Sequence, residues 1–221
     1  MISRFRNRTE AGEQLADRLA PYARRSDVVV LALPRGGVPV ANEVARRLSA
    51  PLDVFIVRKL GVPGHEELAM GAIASGGLRV PNDDVIQTLG LTEADLEAVT
   101  AREQRELVRR EKAYRDGRPP LAVRGKTVIL VDDGIATGST MRAAIRALRT
   151  QQPKAIVVAT PTIALSTYHE MGTEADEVVA VLTPEDFFGV GQWYDDFTQT
   201  TDDEVRAILQ SRHHVPTRTE S

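Results

Sequence analysis

Five short runs rich in Val and Ile punctuate the chain: "VVVLAL" (28–33), "LDVFIV" (52–57), "TVILVD" (127–132), "AIVVAT" (155–160) and "EVVAVL" (177–182). They are nearly unbroken in apolar character, the signature of strands covered on both faces rather than of strands with one wet side. Between them the spacing changes. Val40, Ala41, Val44, Ala45 and Leu48 fall on one helical face, and so do Met141, Ala144, Ile145 and Leu148. Buried strands alternating with amphipathic helices predict an α/β fold, a doubly wound and mostly parallel sheet. In such sheets ligands collect at the carboxyl ends of the strands.

The stretch from about 82 to 118 breaks the alternation. Thr92 and Asp95 open it as a capping box, and Glu106–Arg110 and Glu111–Arg115 are spaced as i,i+4 pairs. It is expected to be a solvated helical insertion held by its own side-chain pairs, closed by "DGRPP" (116–120). Residues 1–211 read as a single domain, and 212–221 as a disordered tail.

Composition removes several functions. A hydrophobic content of 42% in 221 residues supports a substantial core. A formal charge of −3 argues against a protein built to coat nucleic acid. No run has transmembrane length, and the start lacks the apolar stretch of a signal peptide, so a membrane role is not expected. The absence of cysteine rules out disulfides, thiol catalysis and thiolate metal sites, and fits a cytoplasmic protein.

The chemistry concentrates in "VILVDDGIATGSTM" (128–141), where a buried strand runs into two adjacent acids and then a loop of small and hydroxylated residues. Gly134 and Gly138 allow successive amides to converge on one anion, Thr137, Ser139 and Thr140 add hydroxyls, and a helix begins near Ser139 with its positive end toward the loop. Carboxylates touching that anion would repel it, so Asp132 and Asp133 must face hydroxyls, a divalent cation, or both. A phosphorylated ribose with bound Mg2+ meets these demands, since magnesium takes oxygen ligands and accepts one or two carboxylates plus substrate oxygens. A Walker-type loop is excluded, because no lysine follows a glycine before Ser139 or Thr140.

This run resembles the ribose-phosphate signature of the type I phosphoribosyltransferases, which use 5-phosphoribosyl 1-pyrophosphate (PRPP). The likeness covers roughly 28–75 and 120–197. It implies a C-terminal hood over the sheet, at about 183–200 with the N-terminal helix. It also implies that Asp132 and Asp133 take the ribose hydroxyls and metal, and that Ala136, Thr137, Gly138, Ser139 and Thr140 take the 5-phosphate. In "LPRGGVPVA" (33–41), Arg35, Gly36 and Gly37 match the pyrophosphate loop, whose Arg35–Gly36 peptide is cis in some relatives. In "VRKLGVPGHEELAMGAIASGG" (57–77), Arg58 and Lys59 are expected to face the diphosphate, with a mobile Gly/Pro-rich cover beyond. In "TPEDFFGVGQWYDDF" (183–197), Phe188 falls where purine-using relatives stack a ring on the base, and Asp195 where a carboxylate helps hold a second magnesium. His65 reads as exposed loop rather than as a general base.

The reaction implied is displacement of pyrophosphate from the anomeric carbon by a ring nitrogen of a base, with Lys59 and Arg35 stabilising the leaving diphosphate. Relatives acting on hypoxanthine and guanine carry an aspartate where this chain has Ala136, so the acceptor stays open among purine-type bases. A non-catalytic module that binds PRPP or a nucleotide to regulate a partner is the alternative. The ligands implied are PRPP and a small-molecule base; a homodimer is compatible with this reading without being required by it. Asp133 is expected to serve the ligand with little structural role, so that Asp133→Asn would leave thermal stability nearly unchanged.

Overall fold

In a computed structural model, which describes residues 4–213, the five apolar runs contribute to one parallel sheet. Its strands are β1 (Val28–Ala32), β2 (Leu52–Val54), β6 (Thr127–Val131), β7 (Ala155–Thr162) and β8 (Glu177–Leu182), in the order β2-β1-β6-β7-β8. The register of β1 on β6 runs Val28↔Thr127 to Ala32↔Val131, which ends both strands at one edge.

The strands read as unbroken apolar runs because successive side chains enter different cores. Val28, Val30 and Ala32 pack with Ile129, Val131, Val157 and Ala159 under α1 (Arg8–Arg18) and α2 (Gly37–Leu48). Val29, Leu31, Val128, Leu130, Ile156 and Val158 pack on the other face with Met141, Ala144, Ile145 and Leu148 of α5 (Ser139–Thr150), and with Met171 of α6 (Leu165–Met171). Alternation at period 2 therefore feeds two hydrophobic layers.

The "LDVFIV" run is divided. Only Leu52–Val54 join the parallel sheet; after Phe55 and Ile56 the chain enters a separate antiparallel sheet of β3 (Val57–Val62), β4 (His65–Ala74) and β5 (Leu78–Pro81), in the order β3-β4-β5. The segment expected to be a mobile cover is thus strand and hairpin. Its period-2 alternation is masked by glycines: register shifts on either side of Gly61 interrupt the β3–β4 ladder.

The 82–118 insertion is α3 (Asp83–Leu89) and α4 (Glu93–Arg115), with both halves of the Thr92/Asp95 capping box made. Both expected side-chain pairs are present, Arg110 Nε to Glu106 at 2.8 Å and Arg115 Nη1 to Glu111 at 2.9 Å. The insertion is nevertheless no solvated excursion. Leu96, Val99, Leu107 and Tyr114 are buried in the same core as α2, because they recur on one face of α4. Arg115 also reaches back to Asp53 at 3.0 Å, a pair buried between α4 and β2.

A last helix, α7 (Asp202–His213), packs Val205 and Leu209 into that core. It carries the chain through the start of the expected tail; residues 214–221 lie outside the described residues. Among the described residues, no helix is long and apolar enough to cross a membrane.

Candidate functional site

Both loops singled out in the sequence leave the parallel sheet at its carboxyl edge. After β6, the chain passes Asp132 and Asp133 and is pinned to the end of β7, where Ile135 N donates to Thr162 O at 2.9 Å and Ala164 N to Ile135 O at 3.1 Å. Thr167 Oγ1 donates to Ala136 O at 2.6 Å, and Arg142 Nη1 to Thr137 O at 2.7 Å. The loop is held from below by these groups and not by the amides from Ala136 to Thr140. Ala136, Thr137, Ser139 and Thr140 are exposed, with the Thr137 and Ser139 hydroxyls 3.2 Å apart. Gly138 has φ +75°, and a Cβ there would meet Met171 Cε at 2.8 Å, so the turn is built for glycine. Amides at the open end of α5, flanked by hydroxyls, have the arrangement that can receive an anion.

The loop after β1 lies alongside. Gly36 and Gly37 begin α2 so close to the acids that a Cβ on Gly36 would sit 2.0 Å from Asp133 Oδ2, and one on Gly37 would sit 2.7 Å from Val131 O. The cis peptide in this loop joins Pro34 to Arg35, one residue before the Arg35–Gly36 bond. Arg35 is partly exposed, its Nη1 3.7 Å from Asp202 at the start of α7.

The two neighbouring acids differ. Asp133 is 9% exposed and its Oδ2 accepts from Arg8 Nε at 2.8 Å. Asp132 is more exposed as a whole residue, but its carboxyl group is enclosed and its Oδ1 accepts from Asp133 N at 2.9 Å. Burial, followed by the adjacent Asp133 charge, pushes the Asp132 carboxyl well above the usual carboxylate range. Asp133 therefore bears on the fold as well as on any ligand, contrary to the expectation from sequence.

The hood forms from both ends of the chain. Phe5 pairs with Tyr194 as an isolated bridge, and Phe5, Ala11, Trp193 and Tyr194 make a small apolar cluster of their own. The Tyr194 hydroxyl donates to Asp133 O at 2.5 Å. Phe188 projects from the hood and is 93% exposed, so it takes no part in that packing.

One expectation is corrected. Arg58 does not face the sheet edge. Its guanidinium pairs with Glu103 of α4 at 2.6 Å, because Glu103 is buried on the inner face of that helix and needs a counter-charge. Lys59, the next residue on β3, is exposed; with Ser139 and Thr140 it lines a cleft of about 320 Å³ between the antiparallel sheet and α5. Asp195, expected to help hold a second magnesium, lies on the hood directly after Tyr194. Tyr194 turns inward, while Asp195 is exposed and its amide is tied to Phe5 O at 2.8 Å. The two adjacent acids at the edge are hard oxygen ligands of the kind that suits a Mg2+ completed by substrate oxygens. His65 is exposed, as expected.

Sequence reasoning missed Arg8 and the Tyr194 hydroxyl. The basic "RFRNR" start was a visible signal for Arg8, but nothing local links it to residue 133.

Comparison with known proteins agrees with this fold. The family model for the phosphoribosyl transferase domain matches residues 2–195. A Mycobacterium tuberculosis protein provisionally named a phosphoribosyl transferase is 49% identical over 209 residues, covering 95% of this chain and 47% of the relative. The chain thus spans about half the length of that relative. The solved structure of TT1426 from Thermus thermophilus is 44% identical, with a TM-score of 0.84 over 94% of this chain and 98% of that one. The bifunctional protein PyrR of Chloroflexus aurantiacus is 34% identical over 116 residues, 52% of this chain and 58% of its own length.

Proposed function

Because the chain belongs to the phosphoribosyl transferase family, we propose that it transfers the 5-phosphoribosyl group of PRPP to a ring nitrogen of a purine-type base, releasing pyrophosphate. The observation that carries this reading is the pairing of an exposed anion cradle at 136–140 with two acids directly before it, beside a second glycine-opened loop at 35–37. A molecule with a terminal phosphate, a vicinal diol and a diphosphate has one feature for each part.

In this reading, the amides and hydroxyls of Ala136 to Thr140 hold the 5-phosphate, and Asp132, with Asp133 beside it, accepts from the ribose hydroxyls. Arg35, Gly36 and Gly37 face the diphosphate and Lys59 approaches it from β3. Mg2+, held by Asp132 and oxygens of PRPP, would supply positive charge to the departing diphosphate. As the bond from the anomeric carbon to the diphosphate oxygen breaks, negative charge gathers on the leaving group, where Arg35 and Lys59 oppose it. The base nitrogen forms the new bond with its lone pair. Phe188 offers an exposed aromatic face for the base. Ala136 cannot exchange a proton, which favours acceptors that need no help from that position.

Incubating the protein with PRPP, Mg2+ and a panel of nucleobases, and measuring pyrophosphate, tests the proposal. Base-dependent release is expected. Silence across the panel despite tight PRPP binding would assign the chain to a sensing role instead, and absence of PRPP binding would remove both readings.

A further inference from the structure

Resting on the PRPP reading, we propose that Arg8 is a positioning residue of the sugar site: it holds Asp133 in place for the ribose hydroxyls and ties the N-terminal helix and the hood to binding. The guanidinium is only partly engaged by the acid. Its Nε donates to Asp133 Oδ2 at 2.8 Å while Nη1 donates to Thr198 O at 2.7 Å. It stacks 4.1 Å from the Phe197 ring centroid and 5.9 Å from that of Tyr194. Tyr194 in turn grips the backbone oxygen of Asp133, and the main chain around Phe5 is hydrogen-bonded to Trp193 and Asp195. Gly36 also closes on that carboxylate, a Cβ there reaching within 2.0 Å of the same Oδ2.

Asp133 thus sits in a slot whose walls come from three distant parts of the chain. Two consequences follow. The Arg8 charge offsets the repulsion between neighbouring carboxylates, so both can stand at one strand end. It also fixes one oxygen of Asp133, which restricts the carboxylate to a single orientation before ligand arrives. The alternative geometry, in which Arg8 blocks Asp133 and must withdraw, is disfavoured. Arg8 is anchored by Thr198 and two rings independently of the acid, and only 11% of its side chain is exposed.

The test compares wild type, Arg8→Met, Arg8→Lys and Asp133→Asn by calorimetric titration with PRPP, ribose 5-phosphate and inorganic phosphate, each with Mg2+. Thermal melts confirm that every variant is folded at the titration temperature. For Arg8→Met, affinity for PRPP and ribose 5-phosphate is expected to fall roughly 10- to 100-fold, as when one charge-assisted hydrogen bond is lost. Affinity for inorganic phosphate, which needs only the cradle, should stay unchanged. Arg8→Lys should recover part of the loss, and combining Arg8→Met with Asp133→Asn should add little to either alone. Equal weakening for all three ligands would reduce Arg8 to a structural tie, and tighter PRPP binding by Arg8→Met would make it a competitor of the ligand; either result overturns the proposal. If wild type binds inorganic phosphate but not PRPP, the underlying reading fails first and the proposal falls with it. Wild-type PRPP binding matched by Arg8→Met refutes the proposal alone.

Discussion

A methyl group on Gly36 would stand 2.0 Å from Oδ2 of Asp133. The two residues belong to loops leaving different strands, and only the missing side chain lets the loops close on each other. Gly36→Ala should force them apart, costing about 1–3 kcal/mol, the usual range for overpacking. A lowered midpoint in thermal or urea unfolding, with PRPP affinity reduced in calorimetry, is the expected outcome. An unchanged midpoint would mean that the loops accommodate the methyl group freely.

Asp132 supplies a second prediction through its raised carboxyl. Its folded-state value lies above that of the unfolded chain, so its contribution to stability is fully present below the unfolded value and lost as pH rises through the folded one. At pH 7, above the unfolded value, Asp132 therefore weighs against folding. Asp132→Asn should raise the melting temperature at neutral pH, give a smaller gain near pH 4, and abolish PRPP binding. A variant less stable at pH 7 would show that the charge is compensated in the fold.

The neighbours Arg58 and Lys59 should separate cleanly. Lys59 is exposed beside the cleft, so Lys59→Met is expected to lower the rate of pyrophosphate release by about 10²-fold, as for loss of a charge-stabilising donor, with little change in melting temperature. Arg58→Met takes from the buried Glu103 of α4 its ion pair to β3 and leaves it only the exposed Arg102, 3.1 Å away, and should lower stability by ~1–3 kcal/mol with turnover largely kept. Steady-state kinetics and melts on the two variants would expose a reversal.

Phe188 is 93% exposed, so Phe188→Ala should leave the melting temperature where it is. If the ring stacks on the base, KM for the base should rise by an order of magnitude or so, the effect of removing one stacking face, while PRPP affinity holds. A uniform KM would place the base elsewhere under the hood.

Much of this protein can be read along the chain. The alternation of buried strands and amphipathic helices, the capping box at Thr92 and the small-residue turn behind Asp132 and Asp133 are local patterns, set by backbone geometry over a few residues. The parallel sheet and the place of the 136–140 loop at its carboxyl edge followed from them. What local pattern could not supply was the partner of each charge. Arg8 meets Asp133 across 125 positions. Arg58 turns to Glu103, and Arg35 lies near Asp202 on a helix that the local pattern had not singled out. The antiparallel sheet at 57–81 was hidden for a related reason: its glycines read as looseness until cross-strand pairing gave them a register. Secondary structure is encoded by neighbours in sequence. The pairing of buried charges is decided by which surfaces the hydrophobic cores bring together, and only the folded chain contains that information.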